Sequence, residues 1–255
     1  MLAEFSGLEL AALGGLVFFA GFVDSLAGGG GLITVPAYLA VGLPPHLVLG
    51  TNKLGSSIGT VVSAVRFHAR LKFPLGAFAP SVALSLLGAA LGARLALLID
   101  PSIIRYLLLA ALPPVAWSVW SRHDWGAEDR SAEVPGLALR TAAVSFPIGV
   151  YDGFFGPGTG TFFALAFTRF CGYDLLGSTA RAKLLNLASN LAALAMFLKG
   201  GAVHIPLGLL MGGLSIGGHW AGSHWGLKHG AGVIRPMVIL VCSGLFAKLL
   251  WDISR

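Results

Sequence analysis

The sequence GFVDSLAGGGGLITVP, residues 21–36, interrupts an apolar, helix-forming run with four consecutive glycines. Four glycines in a row continue a helix only at high cost, because glycine loses more backbone freedom on folding than any other residue. This stretch therefore predicts a helix that stops before Gly28–Gly31 and a second helix that starts directly after it. In a bilayer, the backbone groups freed at such a break must be satisfied by protein, water or ligand.

A second stretch, GVYDGFFGPGTGTFF at residues 149–163, repeats this pattern. A shift of 128 residues pairs Asp24 with Asp152, and likewise pairs Gly28 with Gly156 and Gly30 with Gly158. A shift of 130 residues pairs Lys53 with Lys183, Gly88 with Gly218, Gly92 with Gly222, and Arg105 with Arg235. Composition alone does not readily align isolated acidic and basic residues in the same order. We therefore expect two homologous repeats.

The composition indicates a membrane protein. The 255 residues are 56% hydrophobic and 11% charged, where about 25% charged is usual in soluble chains, and the mean hydropathy is +0.82. These values exclude a soluble enzyme, a secreted disulfide scaffold and a disordered regulator. They predict an all-α, polytopic membrane protein with eight to ten transmembrane or re-entrant helical segments. The net charge of +6 comes from scattered Lys and Arg, so no nucleic-acid partner is expected.

The chain divides into two halves around a charged segment. We expect a first transmembrane repeat at 1–120, a charged cytoplasmic linker at 121–137 and a second repeat at 138–255. The apolar runs at 32–43 and 161–171 are too short to cross a bilayer in a straight line, which favours half-helices or re-entrant segments.

The orientation of the repeats follows from the basic residues. Arg66, Arg70 and Lys72 form the strongest short basic loop, which the positive-inside rule places in the cytoplasm. If every short run crosses the membrane, the halves are inverted and the 17 Lys and Arg split eleven inside to six outside. If the short runs do not cross, the halves are parallel and the split is nine to eight. The charge distribution favours inverted repeats by a small margin.

The two glycine-rich turns are candidate anion sites. A turn that leads into a helix presents backbone N–H groups and the positive end of the helix dipole. The alternative is close helix packing through small residues. Recurrence of the turn, with two threonines added in the second copy, favours a binding site. Its expected backbone and hydroxyl donors are Gly28, Gly29, Gly30, Gly31, Gly156, Gly158, Thr159 and Thr161.

A polar stripe follows each turn. Lysine, hydroxyl and amide side chains recur at i, i+3 and i+7, which places each trio on one helical face. A lysine deep in a membrane is costly and points to function, although a lysine at a helix end can also extend to the interface. The stripes predict a polar cavity lined from both halves, with substrate-binding residues Asn52, Lys53, Ser56 and Thr60 in the first half and Lys183, Asn186 and Asn190 in the second.

Asp24 and Asp152 are the only acids in apolar sequence away from loops and helix ends. One possible role is proton coupling, since a desolvated carboxyl binds protons more readily. The other is structural, in which Asp accepts hydrogen bonds from the turn or pairs with a lysine. The structural role is favoured, because a free negative charge beside an anion site would repel the ligand.

Other chemical sites find no support in the sequence. His219, His224 and His229 are spaced five apart, which puts successive rings ~140° off one helical face, so no metal site is expected. No cofactor motif and no catalytic arrangement is present, so we expect neither a cofactor nor an enzyme. The small-residue faces Gly88–Gly92 and Gly218–Gly222 predict tight helix packing, and could also form the seam of a homodimer.

Taken together, GFVDSLAGGGGLITVPAYLAVGLPPHLVLGTNKL, YDGFFGPGTGTFFALAF and ARAKLLNLASN resemble the sulfite exporter TauE/SafE family of bacterial membrane transporters. The resemblance extends from about Leu13 to Leu250. It implies transport of small sulfur-containing anions such as sulfite or sulfoacetate, and a multi-pass location in the bacterial cytoplasmic membrane. The partners expected are therefore a small anionic substrate and the lipid bilayer.

The residues independently favour an anion, because the lysines, N–H groups, hydroxyls and amides form a donor-rich site. The first hypothesis is a secondary transporter with its site at the repeat interface. A passive anion channel or a transporter of a small carboxylate is the alternative. A membrane-embedded enzyme or accessory subunit is a third, and it lacks a recognisable catalytic constellation.

Overall fold

A computed structural model of the chain describes residues 5–98 and 126–253. Within these two ranges all regular structure is helical, as the composition predicts. The α-helices are α1 Gly7–Ala27, α2 Gly31–Ala40, α3 Pro45–Leu71, α4 Ala79–Ala96, α5 Leu137–Phe154, α6 Thr159–Cys171, α7 Leu175–Lys199, α8 Ile205–His229 and α9 Ala231–Ile253. The apolar run at 103–120 and the start of the linker, 121–125, lie outside the described residues.

The helices break where the glycine-rich turns predict. Helix α1 starts with a capping box between Ser6 and Glu9 and ends at Gly28, whose φ of 81° terminates the helix. Helix α5 ends at Phe154, and Gly156 and Gly158 follow with φ of 96° and 85°. The next helices, α2 and α6, have 10 and 13 residues. At 1.5 Å per residue they span only ~15 and ~20 Å, less than a hydrocarbon core of about 30 Å.

Each half packs its first helix against the fourth helix of the other half. Helix α4 crosses α5 so closely that a Cβ added at Gly92 would lie 2.0 Å from the carbonyl oxygen of Val150. Helix α8 crosses α1 in the same way, and a Cβ at Gly218 would lie 2.0 Å from the carbonyl oxygen of Phe18. The small-residue faces therefore pack helices together inside the chain, as predicted from the sequence.

Large apolar side chains are exposed and several charged side chains are buried, unlike in a typical soluble protein. Charged residues of both signs are buried among α1, α3, α5 and α7. Large apolar side chains lie exposed along the outer faces of α1, α4 and α8, including Leu16, Phe19, Leu87, Leu91, Leu209 and Trp220. An apolar outer surface around buried charged groups is typical of a membrane protein.

Two described helical segments are both long and apolar enough to cross a membrane, Gly7–Ala27 with mean hydropathy 1.9 and Leu75–Ala96 with 1.7. Length and composition alone do not distinguish such segments from core helices. Helices α3 and α7 are longer, but each carries a lysine and several buried hydroxyl or amide groups. Their polar interior faces lower the mean hydropathy.

The described part of the predicted linker, residues 126–136, is a loop with a short 3₁₀ turn at Ser131–Glu133. Two backbone hydrogen bonds join this loop to the segment between α6 and α7 and the first residue of α7. The Arg130 N–H donates to the carbonyl of Gly172 at 2.7 Å, and the Leu175 N–H donates to the carbonyl of Gly126 at 2.9 Å.

Candidate functional site

The two glycine-rich breaks, one from each half, touch each other. Gly28 lies so close to Gly160 that an added Cβ would sit 2.3 Å from the Gly160 Cα and 2.4 Å from the Thr161 nitrogen. The Thr161 hydroxyl donates to the carbonyl of Ala27, the last residue of α1. Sequence reasoning placed both turns at one site, and the structure brings them into direct contact.

Two buried ion pairs cross between the halves beside this contact. Lys53 on α3 pairs with Asp152 on α5, with 2.7 Å from Nζ to Oδ1. Lys183 on α7 pairs with Asp24 on α1, with 3.1 Å from Nζ to Oδ2. The four side chains are between 1% and 13% exposed. Removing one member of such a pair would leave an uncompensated buried charge, which typically costs about 3–5 kcal/mol.

Asp24 also holds the first break together. Its Oδ1 accepts a hydrogen bond from the Gly30 N–H at 3.2 Å, and its main-chain carbonyl accepts from the Gly28 N–H at 2.7 Å and from Lys183 Nζ. Asp24 therefore makes both contacts that the structural role predicts, with the turn and with a lysine. In the second half, Asp152 Oδ2 is buried with no hydrogen-bond partner among the described residues.

The polar stripes of α3 and α7 border the ion pairs. Lys53 Nζ donates to Asn190 Oδ1 at 2.8 Å, and the Asn190 amide donates to Asn186 Oδ1 at 3.5 Å. The Thr34 hydroxyl donates to Asn52 Oδ1 at 2.5 Å. Thr60 lies on the same face of α3 as Lys53, and its hydroxyl is 3.5 Å from His219 Nε2. The polar stripes of α3 and α7 therefore meet in the structure, through the hydrogen bond from Lys53 to Asn190.

Several donors predicted to hold an anion are bonded within the protein. The Gly28 and Gly30 N–H groups are bonded to Asp24, as described above, and the Gly156 N–H donates to the carbonyl of Tyr151 at 3.3 Å. The Thr159 N–H and hydroxyl both donate to the carbonyl of Gly156. The remaining turn glycines are packed: Gly29 against Val241, Gly31 against Pro157, and Gly158 at the N-cap of α6.

A cavity of about 10 Å³ lies beside the first break, lined by residues that include Asp24, Gly30, Thr34, Asn52, Ser56 and His219. This volume is about that needed for one water molecule. The formal charges of the two lysines and two aspartates cancel. In this structure the lysines therefore interact with carboxylates of the protein, and the cavity beside them has room for about one water molecule.

His219 has no role that the sequence alone predicts. Its ring is buried against Asp24, whereas His224 and His229 on the same helix are exposed. A shift of 130 residues pairs His219 with Ala89. A titratable residue at a position that this shift pairs with alanine is the signal that could have identified it.

Comparison with known proteins now decides the family. The sequence model of the protein family described as sulfite exporter TauE/SafE matches residues 13–249 of the chain. The chain belongs to the TauE/SafE family. The resemblance seen in the glycine-rich turns and lysine stripes is confirmed over nearly the whole chain.

Relatives in this family carry transporter names. The chain is 40% identical over 247 residues to the probable membrane transporter protein ORF9 of a Sinorhizobium species, covering 95% of this chain and 93% of the relative. It is 37% identical to the probable membrane transporter protein YfcA of Escherichia coli K12, covering 97% and 91%. It is 36% identical to a probable membrane transporter protein of Haemophilus influenzae, covering 96% of each chain. No solved structure matches the chain.

The chain therefore belongs to a family of membrane transporters. The transporter names of the relatives agree with the expectation that it is not an enzyme.

Proposed function

We propose that this TauE/SafE protein is a multi-pass secondary transporter of the bacterial cytoplasmic membrane that carries a small sulfur-containing anion. Sulfite, or an organosulfonate such as sulfoacetate, is the proposed substrate. The observation that carries the proposal is the pair of crossed, buried Lys–Asp contacts where the two glycine-rich breaks meet. The family description, which names sulfite export, supports the choice of substrate class.

The packing supports two repeats related by a two-fold axis. In such an arrangement, contacts between unlike elements occur in pairs, and α4 against α5 is matched by α8 against α1. The Lys53–Asp152 and Lys183–Asp24 contacts form a second matched pair. An inverted relation, with the site at the repeat interface near the bilayer midplane, is the arrangement proposed for this chain.

Substrate binding would replace carboxylates by an anion. In the arrangement described above, Asp152 and Asp24 neutralise Lys53 and Lys183, so neither of these two buried lysines is unpaired before the substrate binds. When one half moves relative to the other, the lysines separate from the aspartates and become available to a sulfite or sulfonate oxygen. Charge-assisted hydrogen bonds from Nζ then hold the anion. Asn186, Asn190, Ser56 and Thr60 border this position and would contribute to selectivity.

The small cavity favours a carrier over a passive channel. It has room for about one water molecule, and an organosulfonate is larger than that. We therefore expect the helices around the cavity to rearrange before an anion enters, as in alternating access.

The proposal is tested by thermal unfolding of the purified protein in detergent with a panel of anions. The panel contains sulfite, sulfate, thiosulfate, sulfoacetate, taurine, lactate and chloride. A ligand at 100 times its Kd that binds only the folded state stabilises it by about 2.7 kcal/mol. We expect a selective rise of the melting temperature with sulfite or sulfoacetate, because these anions replace the carboxylates at the lysines.

Lysine variants test whether the rise of the melting temperature depends on Lys53 and Lys183. Lys53→Ala and Lys183→Ala should lose the shift, while Lys199→Ala, at the exposed end of α7, should keep it. Size-exclusion chromatography identifies variants that remain folded. A selective shift with lactate alone would contradict the sulfur-anion assignment and favour a carboxylate. An undiminished sulfite shift in both folded lysine variants would remove the lysines from the site.

A further inference from the structure

His219 lies at the centre of a buried hydrogen-bond network beside the cavity. Its Nε2 is 3.1 Å from Asp24 Oδ2, the oxygen that also contacts Lys183. Its Nδ1 is 3.0 Å from the carbonyl oxygen of Ser215 and 3.1 Å from the Ser215 hydroxyl. The ring is packed so closely that a Cβ added at Gly59 would lie 2.4 Å from Nδ1. The imidazole therefore has one defined position.

The partners of this ring satisfy it in both protonation states. A carboxylate oxygen only accepts, so Nε2 keeps its proton and donates to Asp24. At Nδ1, the Ser215 hydroxyl can donate to an unprotonated nitrogen, and the Ser215 carbonyl can accept from a protonated one. A proton can therefore bind or leave at Nδ1 without creating an unsatisfied buried group and without repacking of the helices.

The charged groups around the ring determine what this proton does to the site. Asp24 faces it from α1, and Lys183 reaches the same carboxylate from α7. Thr60 and Arg66 face this region from α3. The Thr60 hydroxyl is 3.5 Å from Nε2 of His219, and Arg66 donates a hydrogen bond to Ser223, which lies one turn beyond His219 on α8. Tyr38 on α2 lines the same cavity as a neutral phenol. The two Lys–Asp pairs sum to zero, so protonation of Nδ1 gives the site one net positive charge.

We propose that His219 is the proton-binding residue that couples proton movement to anion transport, a role that rests on the proposed function above. A site with one positive charge attracts an anion into the cavity that His219 lines. Loss of the proton returns the site to neutrality and weakens its hold on the anion. One proton then moves with each anion, so transport of bisulfite carries no net charge, and transport of a doubly charged anion such as sulfite or sulfoacetate carries one negative charge.

The proposed proton site exists at one of the two crossed Lys–Asp pairs and not at the other. The position that corresponds to His219 beside Asp152 is Ala89, and Asp152 Oδ2 has no hydrogen-bond partner among the described residues. The two aspartates are therefore unequal. Only Asp24 has a neighbour on the fourth helix of the opposite half that can take up a proton.

The first test needs no substrate. The full chain, labelled with ¹⁵N in its histidine rings and purified in detergent, is titrated by NMR between about pH 5 and 9, where histidine changes charge. The His219 signal is assigned by its absence in His219→Gln. We expect Nδ1 to gain and lose a proton while Nε2 stays protonated. A ring that keeps one protonation state throughout would overturn the proposal.

Ser215→Ala keeps the ring and tests the mechanism directly. It removes the hydroxyl that stabilises the unprotonated Nδ1 and leaves the carbonyl that stabilises the protonated one. The NMR signals of the His219 ring nitrogens should therefore differ from those of the wild type. Unchanged signals would contradict the assignment of Ser215 as the partner of both states.

Coupling is then measured in liposomes that contain a trapped pH indicator and carry an imposed sulfite gradient. The wild-type protein should move protons together with sulfite. In His219→Gln the ratio of proton to sulfite flux should fall to background, whereas His224→Gln, an exposed histidine on the same helix, should keep the wild-type ratio. A wild-type ratio in His219→Gln would overturn the coupling. Absence of sulfite flux in the wild type would instead contradict the proposed substrate, and the ring titration decides the proton site without it.

Discussion

The contact between the two breaks makes a quantitative prediction for Gly28→Ala. The added methyl group would lie 2.3 Å from the Gly160 Cα and carbonyl carbon, which are backbone atoms and cannot rotate away. Gly42 provides a matched control. It has the same φ of 81°, but an added Cβ there meets nothing within 4 Å.

The expected losses of stability follow from these two environments. Both variants place alanine in the left-handed region, which costs roughly 1–2 kcal/mol. Gly28→Ala must also force the two breaks apart, and overpacking of this kind typically costs about 1–3 kcal/mol more. We expect Gly42→Ala to lose roughly 1–2 kcal/mol and Gly28→Ala about 2–5 kcal/mol. At about 2–4 °C per kcal/mol for a chain of this size, the contact alone lowers the melting temperature by roughly 2–12 °C.

Thermal unfolding of the purified variants in detergent measures this difference. Gly160→Ala is an independent check, because its Cβ would lie 2.6 Å from the Gly28 Cα while its own backbone conformation is helical. It should lose stability through the contact without the cost of a positive φ. Equal losses in Gly28→Ala and Gly42→Ala, together with a neutral Gly160→Ala, would refute the direct contact between the breaks.

Two further predictions concern the packing around this contact. Lys53→Met should lose about 3–5 kcal/mol because Asp152 stays buried and charged, and adding Asp152→Asn should recover most of it; additive losses in denaturant unfolding would show that the two residues are not paired. Gly92→Ala should lose about 1–3 kcal/mol through its clash with Val150, whereas Gly213→Ala, in the exposed middle of α8, should gain about 0.5–1 kcal/mol in the same assay. Similar free energies of unfolding for the two glycine variants would contradict the close crossing of α4 and α5.

Local backbone chemistry made much of the helical framework predictable. Consecutive glycines at 28–31 and the GPGTG segment at 156–160 end helices wherever they occur, so the breaks and the short α2 and α6 follow from sequence. The boundaries of longer helices were less accurate. The apolar run ends near residue 65, but α3 continues through Arg66 and Arg70 to Leu71 and is closed by Lys72 with φ of 48°. The end of a helix cannot be predicted from the spacing of apolar residues when its last turn is polar, as it is in α3.

The partners within the site were not predictable, because they depend on tertiary packing. Matching the repeats identifies Asp24 with Asp152 and Lys53 with Lys183, but it does not say which lysine meets which aspartate. The structure pairs each lysine with the aspartate of the opposite half. The same limit applies to the turn N–H groups. Sequence marks them as donors, and only the fold shows that Asp24 accepts from Gly28 and Gly30.

The crossing of the ion pairs has a consequence for how the proposed transporter would open. If each lysine were paired within its own half, the halves could separate without exposing a charge, and the anion would gain nothing from their movement. Because the pairs cross, separation leaves lysines and aspartates uncompensated, at a cost of about 3–5 kcal/mol for each broken buried pair. An arriving anion compensates the lysines but not the aspartates.

His219 lies in the second half together with Lys183, whereas Asp24 lies in the first. When the halves separate, a His219 ring protonated at Nδ1 therefore leaves the Asp24 carboxylate, 3.1 Å away in this structure, together with Lys183. Asp24 keeps the Gly30 N–H within its own half. The proton thus adds its charge to the side of the broken pair that receives the anion. The stabilisation of the protein by sulfite should therefore increase as the pH falls, and the increase should disappear in His219→Gln.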